Sequence, residues 1–401
     1  MTASILSIGT AVPPTRLPQD HVRDLFAAQP GNDRLSQRLV HAAFDAAAIE
    51  NRHTVLTSLG IGQRPGLPVA DPQAERMPVL DDQGVLQRPS TGARNDAYIR
   101  LAPPLFADAS RDALNRAGLA PTEVTHVVTV SCTGLFAPGP DYRLVRDLGL
   151  RETTERFHLG FVGCAAALPA LRLASALCAA QPAAVVLVAC AELCTLHFRP
   201  SADPEQIVAA SVFADGAAAA VVTARADLID AHNGPRLQLD RFGTTVTHEG
   251  EHDMAWTIGD AGFEMTLSAE VPRIIGREIR GAVGAFLGDD SPTAWAVHPG
   301  GRSVLDRVES GLDLPGDALA TSRAVLRDYG NMSSATILFI LARMLEGSDA
   351  GPDRSQIAAL AFGPGLTVES ALLTRRVGTA STTSASTPRT RPARHAEPAR
   401  T

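Results

Sequence analysis

The chain has 401 residues, of which 45% are hydrophobic and 20% charged, and its formal net charge is −7. A chain of this size can bury a large core, as one big domain or two fused halves. The negative charge and the lack of a long basic stretch argue against nucleic acid as the main partner. Apolar runs such as residues 183–190 are strand-length, far short of the roughly 20 residues of a membrane-spanning helix. The N-terminus lacks the basic segment of a signal peptide, so a cytoplasmic protein is expected.

Every one of the 36 Lys and Arg positions is arginine. The chain therefore cannot form a lysine Schiff base, anchor pyridoxal phosphate or supply the lysine of a phosphate-binding loop. A GxGxxG motif after a predicted strand is also absent, which argues against a bound dinucleotide. No resident cofactor is expected.

In the first half of the chain, the spacing of apolar, glycine and proline residues predicts a mixture of strands and helices. Strands are expected at residues 4–12, 123–130, 183–191 and 217–223, and helices at 17–28, 35–48, 94–117, 141–148, 164–180 and 203–210. Residues 65–90 are rich in Pro, Asp and Gln with little periodicity, which predicts a long surface loop.

The second half continues in the same way. Strands are expected at residues 237–246, 293–297, 356–362 and 367–373, and helices at 268–287, 303–310, 317–328 and 333–345. Alternating strands and helices predict α/β layers in which helices pack on sheets. Residues 378–401 are mostly Ser, Thr, Pro, Ala and Arg and have little to bury, which predicts a disordered tail.

The candidate nucleophile is a cysteine. The five cysteines are odd in number and form no CxxC pair, so reduced thiols are expected. Cys164 follows an apolar segment that ends at Gly163, at the predicted start of a helix, where free N–H groups and the helix dipole favour the thiolate. The local pattern leaves open a plain alternative, because most free cysteines are small buried hydrophobes.

Two further polar residues follow predicted element ends. His298 comes after the strand at 293–297 and before Pro299-Gly300-Gly301, and Asn331 lies at a glycine turn before the helix at 333–345. A neutral imidazole and an amide could together polarise a thioester carbonyl and stabilise the enolate formed by decarboxylation. For Asn331, a helix cap is the local alternative, since asparagine is favoured at that position.

Five segments in order resemble the type III polyketide synthases, the chalcone synthase superfamily. The resemblance runs from about residue 4 to residue 375 and is carried by Gly163-Cys164, Val212-Phe213-Ala214-Asp215-Gly216, Trp295-Ala296-Val297-His298-Pro299-Gly300-Gly301, Tyr329-Gly330-Asn331-Met332-Ser333-Ser334 and Phe362-Gly363-Pro364-Gly365-Leu366.

The resemblance implies an α/β thiolase fold of two similar αβαβα halves in a five-layered arrangement, active as a homodimer. We expect the halves at residues 1–230 and 231–377, followed by the tail. Cys164 would carry the acyl starter and the growing chain, and His298 and Asn331 would bind the malonyl thioester and promote its decarboxylation. The partners would be an acyl-CoA starter and malonyl-CoA, with no redox cofactor and no acyl carrier protein.

The resemblance also implies a substrate cavity. Phe213 matches a gatekeeper between the CoA tunnel and the cavity, whereas Met265 replaces the second gatekeeper phenylalanine of the plant enzymes, which should widen or reshape the cavity. The remaining cavity positions are Cys132, Thr133, Ala137, Cys194, His197 and Ser333.

The basic residues with which the family binds CoA are missing here. Ala42 and Ala46 occupy their positions, and Arg38 and Arg52 are the candidates to replace them. Arg302, after the His-Pro-Gly-Gly turn, is a further candidate for a CoA phosphate, with an ordinary exposed arginine as the alternative.

Residues 157–164 and 192–197 look like those of bacterial members that make alkylpyrones or alkylresorcinols from fatty acyl-CoA. We therefore expect a medium- or long-chain fatty acyl starter, with malonyl-CoA itself or an aromatic acyl-CoA as alternatives. These differences could instead mark lineage alone, and the ring closure, the number of extensions and the extender stay open. The rivals are an initiating ketoacyl synthase that needs a carrier protein and a non-catalytic thiolase-fold binding subunit.

One segment matches a zinc-binding motif but is not expected to bind a metal. Residues 248–252 match HExxH, but that zinc motif needs a helix so that both histidines share one face. The segment contains a central glycine and follows a predicted strand, so a solvated loop is expected and no metal site.

Overall fold

The computed structural model describes residues 2–60, 77, 79–347, 349 and 351–377. Its strands are β1 Ser4–Ala11, β2 Thr15–Pro18, β3 Asn51–Thr54, β4 His126–Ser131, β5 Glu155–Gly160, β6 Val185–Leu193, β7 Asp215–Thr223, β8 Arg236–Val246, β9 Met254–Gly259, β10 Gly262–Leu267, β11 Ala294–Val297, β12 Gln356–Gly363 and β13 Thr367–Arg376. Its helices are α1 Gln19–Ala27, α2 Arg34–Ala46, α3 Thr91–Ala117, α4 Pro140–Leu148, α5 Ala167–Ala180, α6 Pro204–Val212, α7 Ala226–Ala231, α8 Val271–Leu287, α9 Arg302–Gly311, α10 Ala320–Tyr329 and α11 Thr336–Glu346.

One mixed sheet runs through both halves of the chain. Within the described ranges it has nine strands in the order β11-β12-β13-β8-β1-β7-β6-β4-β5. In the first half, β4 and β6 are parallel and β6, β7 and β1 are antiparallel neighbours. In the second half, β11 and β12 are parallel and β12, β13 and β8 are antiparallel neighbours. The same order and directions recur, so the two halves are structural repeats that meet where β1 pairs with β8.

The central strands are buried on both faces, which explains their near-continuous apolar sequences. Alternate residues of β6 and β7 enter two separate cores, one against α3 and the other against the buried helices α5 and α11. Gly9 of β1 allows α3 to lie unusually close, because an added Cβ would be 2.3 Å from the carbonyl oxygen of Ala109. These layers form the α/β arrangement that the sequence predicts.

Several local predictions differ from the structure. The helix expected from residue 164 begins only at Ala167, because residues 164–166 form a turn. The hairpin β9–β10 and the pair β2–β3 were not anticipated. The expected tail at 378–401 and residues 65–76 and 78 of the expected loop lie outside the described residues. The division at residue 230 stays a prediction.

Two features bear on membranes and metals. No helix among the described residues is long and apolar enough to cross a membrane. Residues 248–252 form part of the connection between β8 and β9 and contain no helix, so the HExxH histidines do not have the helical spacing of a zinc site. All five cysteines are free and buried.

Candidate active site

The three predicted catalytic residues line one cavity of about 830 Å³. Cys164 lies in the turn before α5, His298 directly after β11, and Asn331 between α10 and the turn that leads into α11. Asn331 is tied to the end of α6 through backbone hydrogen bonds, since its N–H donates to Val212 and its carbonyl accepts from Ala214, both at 2.9 Å. The two halves of the chain thus contribute to one site.

Gly163 explains why the motif around Cys164 needs a glycine. Its φ is +81°, and an added Cβ would lie 2.3 Å from Cδ of Pro364. An L side chain there would be both strained and in collision. This contact joins the Cys164 turn to the Phe-Gly-Pro-Gly-Leu loop after β12, so two motifs that are far apart in sequence form one structural unit.

The environment of Cys164 opposes the thiolate. Its side chain is buried, and burial raises the pKa of the thiol to about 11, although hydrogen bonds with Ser333 and Asn331 act in the opposite direction. Cys164 is not the first residue of the predicted helix, because α5 starts three residues later. The predicted helix start was wrong by three residues, and the side chains that favour the thiolate are Ser333 and Asn331.

His298 is the proton acceptor that lines the same cavity as Cys164. It is fully buried, and burial lowers the pKa of its imidazole to about 3, so the ring is neutral near pH 7. Neither ring nitrogen has a hydrogen-bond partner among the described residues. Its backbone N–H donates to Leu360 at 2.8 Å, which fixes the residue at the end of β11. Both nitrogens are therefore available to a substrate in the cavity.

Asn331 is held by two hydrogen bonds. Its Oδ1 accepts the N–H of Ser333 at 2.8 Å, and its Nδ2 donates to the carbonyl of Gly300 at 3.3 Å. The first bond closes a turn ahead of the short 3₁₀ helix Ser333–Ala335, whose N-cap is Met332, so Asn331 is not the helix cap considered from the sequence. The second directs the amide toward the loop that follows His298. The two bonds therefore orient the amide, whose further hydrogen bond with the Cys164 thiol acts to lower the pKa of that thiol.

A second, smaller cavity of about 50 Å³ lies behind Cys164. Cys164, Phe213, Met254 and Met265 line both cavities, so they form the neck between them. The predicted cavity residues Cys132, Thr133, Cys194, His197 and Ser333 line the inner cavity.

Ala137 does not line it. The residue is exposed at the surface in the loop after β4. The structure of the single chain therefore does not place Ala137 in the cavity lining, because the loop leaves the cavity wall after Thr133.

The back wall of the inner cavity comes from the predicted residue His197 and from Trp256 and Phe263, which sequence reasoning missed. His197 stacks on Phe263 with ring centroids 4.4 Å apart, and Trp256 meets both rings edge-on. The Nδ1 atom of His197 accepts the N–H of Phe263, which leaves Nε2–H to donate to the carbonyl of Thr133 at 2.9 Å. Burial lowers the pKa of this imidazole to about 3, so His197 is a neutral, fully bonded wall residue.

Glu192 supports the cavity floor. It is fully buried and accepts hydrogen bonds from Cys132 N–H and Thr133 Oγ1, both at 2.9 Å, and from Ser334 Oγ at 2.6 Å. Burial raises the pKa of this carboxyl. Glu192 thus links β6 to the loop after β4 and to the turn before α11, which positions the segments that flank Cys164.

Arg52 is not available to CoA. It is fully buried, and its Nη1 donates to the carbonyls of Ala210 and Phe213, both at 2.7 Å. The expectation that Arg52 replaces a surface CoA ligand is therefore wrong. The guanidinium instead fixes the end of α6 and the backbone of the gatekeeper Phe213. Arg38 is exposed but outside the cavity wall, whereas Arg302 lines the mouth of the outer cavity.

Comparisons with known proteins agree with this arrangement. Residues 1–226 match the model of the N-terminal domain of chalcone and stilbene synthases, and residues 239–377 match that of the C-terminal domain. Bisdemethoxycurcumin synthase of Oryza sativa subsp. japonica is 32% identical over 389 residues, which is 92% of each chain.

Solved structures are similar as well. PKS-I from the brown alga Ectocarpus siliculosus matches with a TM-score of 0.82 at 28% identity, over 93% of this chain and 98% of that chain. A type III pentaketide synthase from Neurospora crassa matches with a TM-score of 0.78 at 26% identity, over 93% and 100%.

The chain belongs to the chalcone and stilbene synthase family, the type III polyketide synthases, and has their thiolase fold. It is an acyltransferase that condenses an acyl-CoA starter with malonyl-CoA.

Proposed function

We propose that Cys164 is the nucleophile that carries the starter and that His298 and Asn331 bind the thioester carbonyl of malonyl-CoA. The observation that carries this proposal is the common cavity, in which a buried thiol, a neutral imidazole with two unused nitrogens and an oriented amide face the same space. Donors fixed in a water-poor site stabilise a developing enolate strongly.

The steps follow from those groups. The Cys164 thiol gives its proton to His298, attacks the starter thioester and releases CoA as the thiol. Malonyl-CoA then loses CO₂, and the electron pair of the broken bond forms an enolate whose oxygen accepts hydrogen bonds from His298 and Asn331. The enolate carbon attacks the Cys164 thioester, a C–C bond forms, and the Cys164 thiolate leaves. No step needs a redox partner.

For the starter, we propose a medium- or long-chain fatty acyl-CoA that gives alkylpyrone or alkylresorcinol products. The lining of the inner cavity supports this choice. It is largely apolar, and Met254 and Met265 at the neck have flexible thioether side chains that can adapt to an alkyl chain.

One observation favours a second candidate. The inner cavity measures about 50 Å³, which is room for only a few water molecules. A small starter such as malonyl-CoA fits this volume with the least movement of the wall, whereas a long alkyl chain requires the methionines at the neck to move.

The experiment is a product survey by mass spectrometry. Purified enzyme is supplied with malonyl-CoA and starters from acetyl-CoA to palmitoyl-CoA, together with an aromatic acyl-CoA. Alkylpyrones or alkylresorcinols that appear only with fatty acyl starters support the first proposal. Products from malonyl-CoA alone or from the aromatic starter support the alternative, and a lack of product with every starter contradicts both.

We also propose that the enzyme is a homodimer and that its halves divide near residue 230. β5 is an edge strand, and Leu135, Tyr142 and Val162 near that edge are 41%, 39% and 36% exposed. Unpaired edges and exposed apolar groups favour association. Light scattering after size exclusion tests this, since a monomer mass at micromolar concentration would contradict it. A cytoplasmic location remains a prediction.

A further inference from the structure

The mouth of the outer cavity has walls of opposite character. One wall, formed by α2 and the start of α6, presents Ala43 and Ala46 together with the acidic residues Asp203 and Glu205. The other wall, formed by α8 and α9, presents Arg273, Arg302 and Arg307 with one acidic residue, Asp306. Because acidic groups repel phosphate and arginines bind it in a bidentate manner, an anionic ligand in this mouth is drawn to the α8–α9 wall.

The three arginines are not equally free. Arg273 pairs with Glu270, and Arg302 lies 3.6 Å from Asp306, whose carboxylate is already bound by Arg323 at 2.8 Å. The guanidinium of Arg307 has no hydrogen bond or ion pair with any group in the described part of the chain. Arg307 therefore offers a full set of donors to a ligand.

The packing of Arg307 supports a binding role. Its side chain lies across Gly276 of α8, where an added Cβ would be 3.3 Å from Cδ of Arg307. A second depression of about 450 Å³ adjoins the mouth and shares Arg273 and Arg307 with it, and its other lining residues are Gly276, Arg277, Ser310 and Gly311. The missing side chain at Gly276 thus lets the stem of Arg307 lie on α8, with its guanidinium in the depression beside Arg273.

We infer that Arg307 and Arg273 bind the phosphate groups of the CoA nucleotide, in place of the α2 positions where this chain has alanine. The inference rests on the use of CoA thioesters. A phosphate monoester carries about two negative charges near pH 7 and is matched by paired arginines. The same cavity reaches from these arginines to Cys164, so the thioester end of the ligand can enter the catalytic space while the nucleotide stays at the mouth.

The first test measures binding without turnover. Titration calorimetry with CoA compares the wild type with Arg307→Ala, Arg273→Ala and the control Arg280→Ala. Arg280 also lies on α8 and is exposed, but it pairs with Asp313 at 2.6 Å and lines neither cavity. We expect about a tenfold higher Kd for each of the first two variants, the loss of about one charge-assisted contact. An equal rise in Kd for Arg280→Ala would mean that the overall charge of the surface, and not a specific contact, governs CoA binding, which contradicts the inference. An unchanged Kd for Arg307→Ala would also overturn it.

The second test separates this inference from the proposed chemistry. Malonyl-CoA is compared with the malonyl thioester of N-acetylcysteamine, which has the reacting group but no phosphate. For Arg307→Ala we expect the ratio of kcat/KM for malonyl-CoA to that for the short thioester to fall about tenfold, mainly through KM. A ratio equal to that of the wild type would contradict phosphate binding. If the wild type decarboxylates neither thioester while CoA still binds through Arg307, the catalytic proposal fails and the phosphate site stands.

Discussion

Replacing His298 with glutamine tests how the buried Cys164 thiol becomes a nucleophile. Burial, opposed in part by hydrogen bonds with Ser333 and Asn331, raises the pKa of this thiol to about 11. At about pH 7.5 such a thiol would be roughly 0.03% thiolate. In the wild type, His298 is neutral near pH 7 and accepts the proton as the sulfur attacks, so the thiol reacts as a thiolate without being ionised at rest.

The glutamine variant keeps a polar side chain of similar size but removes the proton acceptor. A positioned general base typically contributes about 10²–10⁴-fold, so at about pH 7.5 we expect iodoacetamide to react roughly a thousandfold more slowly with Cys164 in His298→Gln. The direction of the pH dependence of alkylation follows from the raised pKa of the Cys164 thiol. The rate in the variant should climb steadily toward pH 11, whereas the wild type should reach its plateau below neutral pH.

The assay is intact-protein mass spectrometry over a pH series, with peptide mapping to assign the label. Cys164→Ala is the control, because burial raises the pKa of each of the other four thiols and they should remain unlabelled. Overlapping pH profiles for the wild type and His298→Gln would refute the proposed proton transfer.

Three further predictions concern the neighbouring residues. Asn331→Ala should lower malonyl-CoA decarboxylation more than starter loading, and equal losses in single-turnover assays with radiolabelled starter would mean that the amide has a different role. Gly163→Ala should lower the free energy of unfolding by about 2 kcal/mol or more, because a positive φ and a Cβ 2.3 Å from Pro364 must both be accommodated. Urea unfolding measures this, and an unchanged midpoint would contradict the packing described. Met265→Phe should stiffen the neck and reduce kcat/KM for long acyl starters more than for short ones, and an unchanged preference in the starter panel would show that Met265 does not set it.

Much of the fold follows from local pattern. Strands such as β6 and β7 are predicted because their apolar runs are short and bounded by turn residues. The site residues Cys164, His298 and Asn331 are found because each follows an element end within a recognisable motif. That these residues meet in one cavity could be predicted only from the family resemblance. Nothing in the local sequence shows that Cys164 and His298, more than a hundred positions apart, come together.

The parts that sequence reasoning missed depend on distant contacts. The hairpin β9–β10 has apolar residues at alternate positions, such as Met254 and Trp256, but polar neighbours and a glycine turn weaken the pattern. Its role appears only when Phe263 stacks on His197. Arg52 was expected at the surface because arginine is rarely buried, whereas its partners are backbone carbonyls about 160 residues away that carry no sequence signal.

The central claim is that Cys164 carries the acyl chain during condensation. The most direct measurement is intact-protein and peptide mass spectrometry of the enzyme quenched during turnover with a fatty acyl-CoA starter and malonyl-CoA. The account predicts acyl and extended acyl adducts on the Cys164 peptide, together with loss of both adducts and product in a folded Cys164→Ala variant. Product formation by that variant, or an adduct on a different residue, would contradict it.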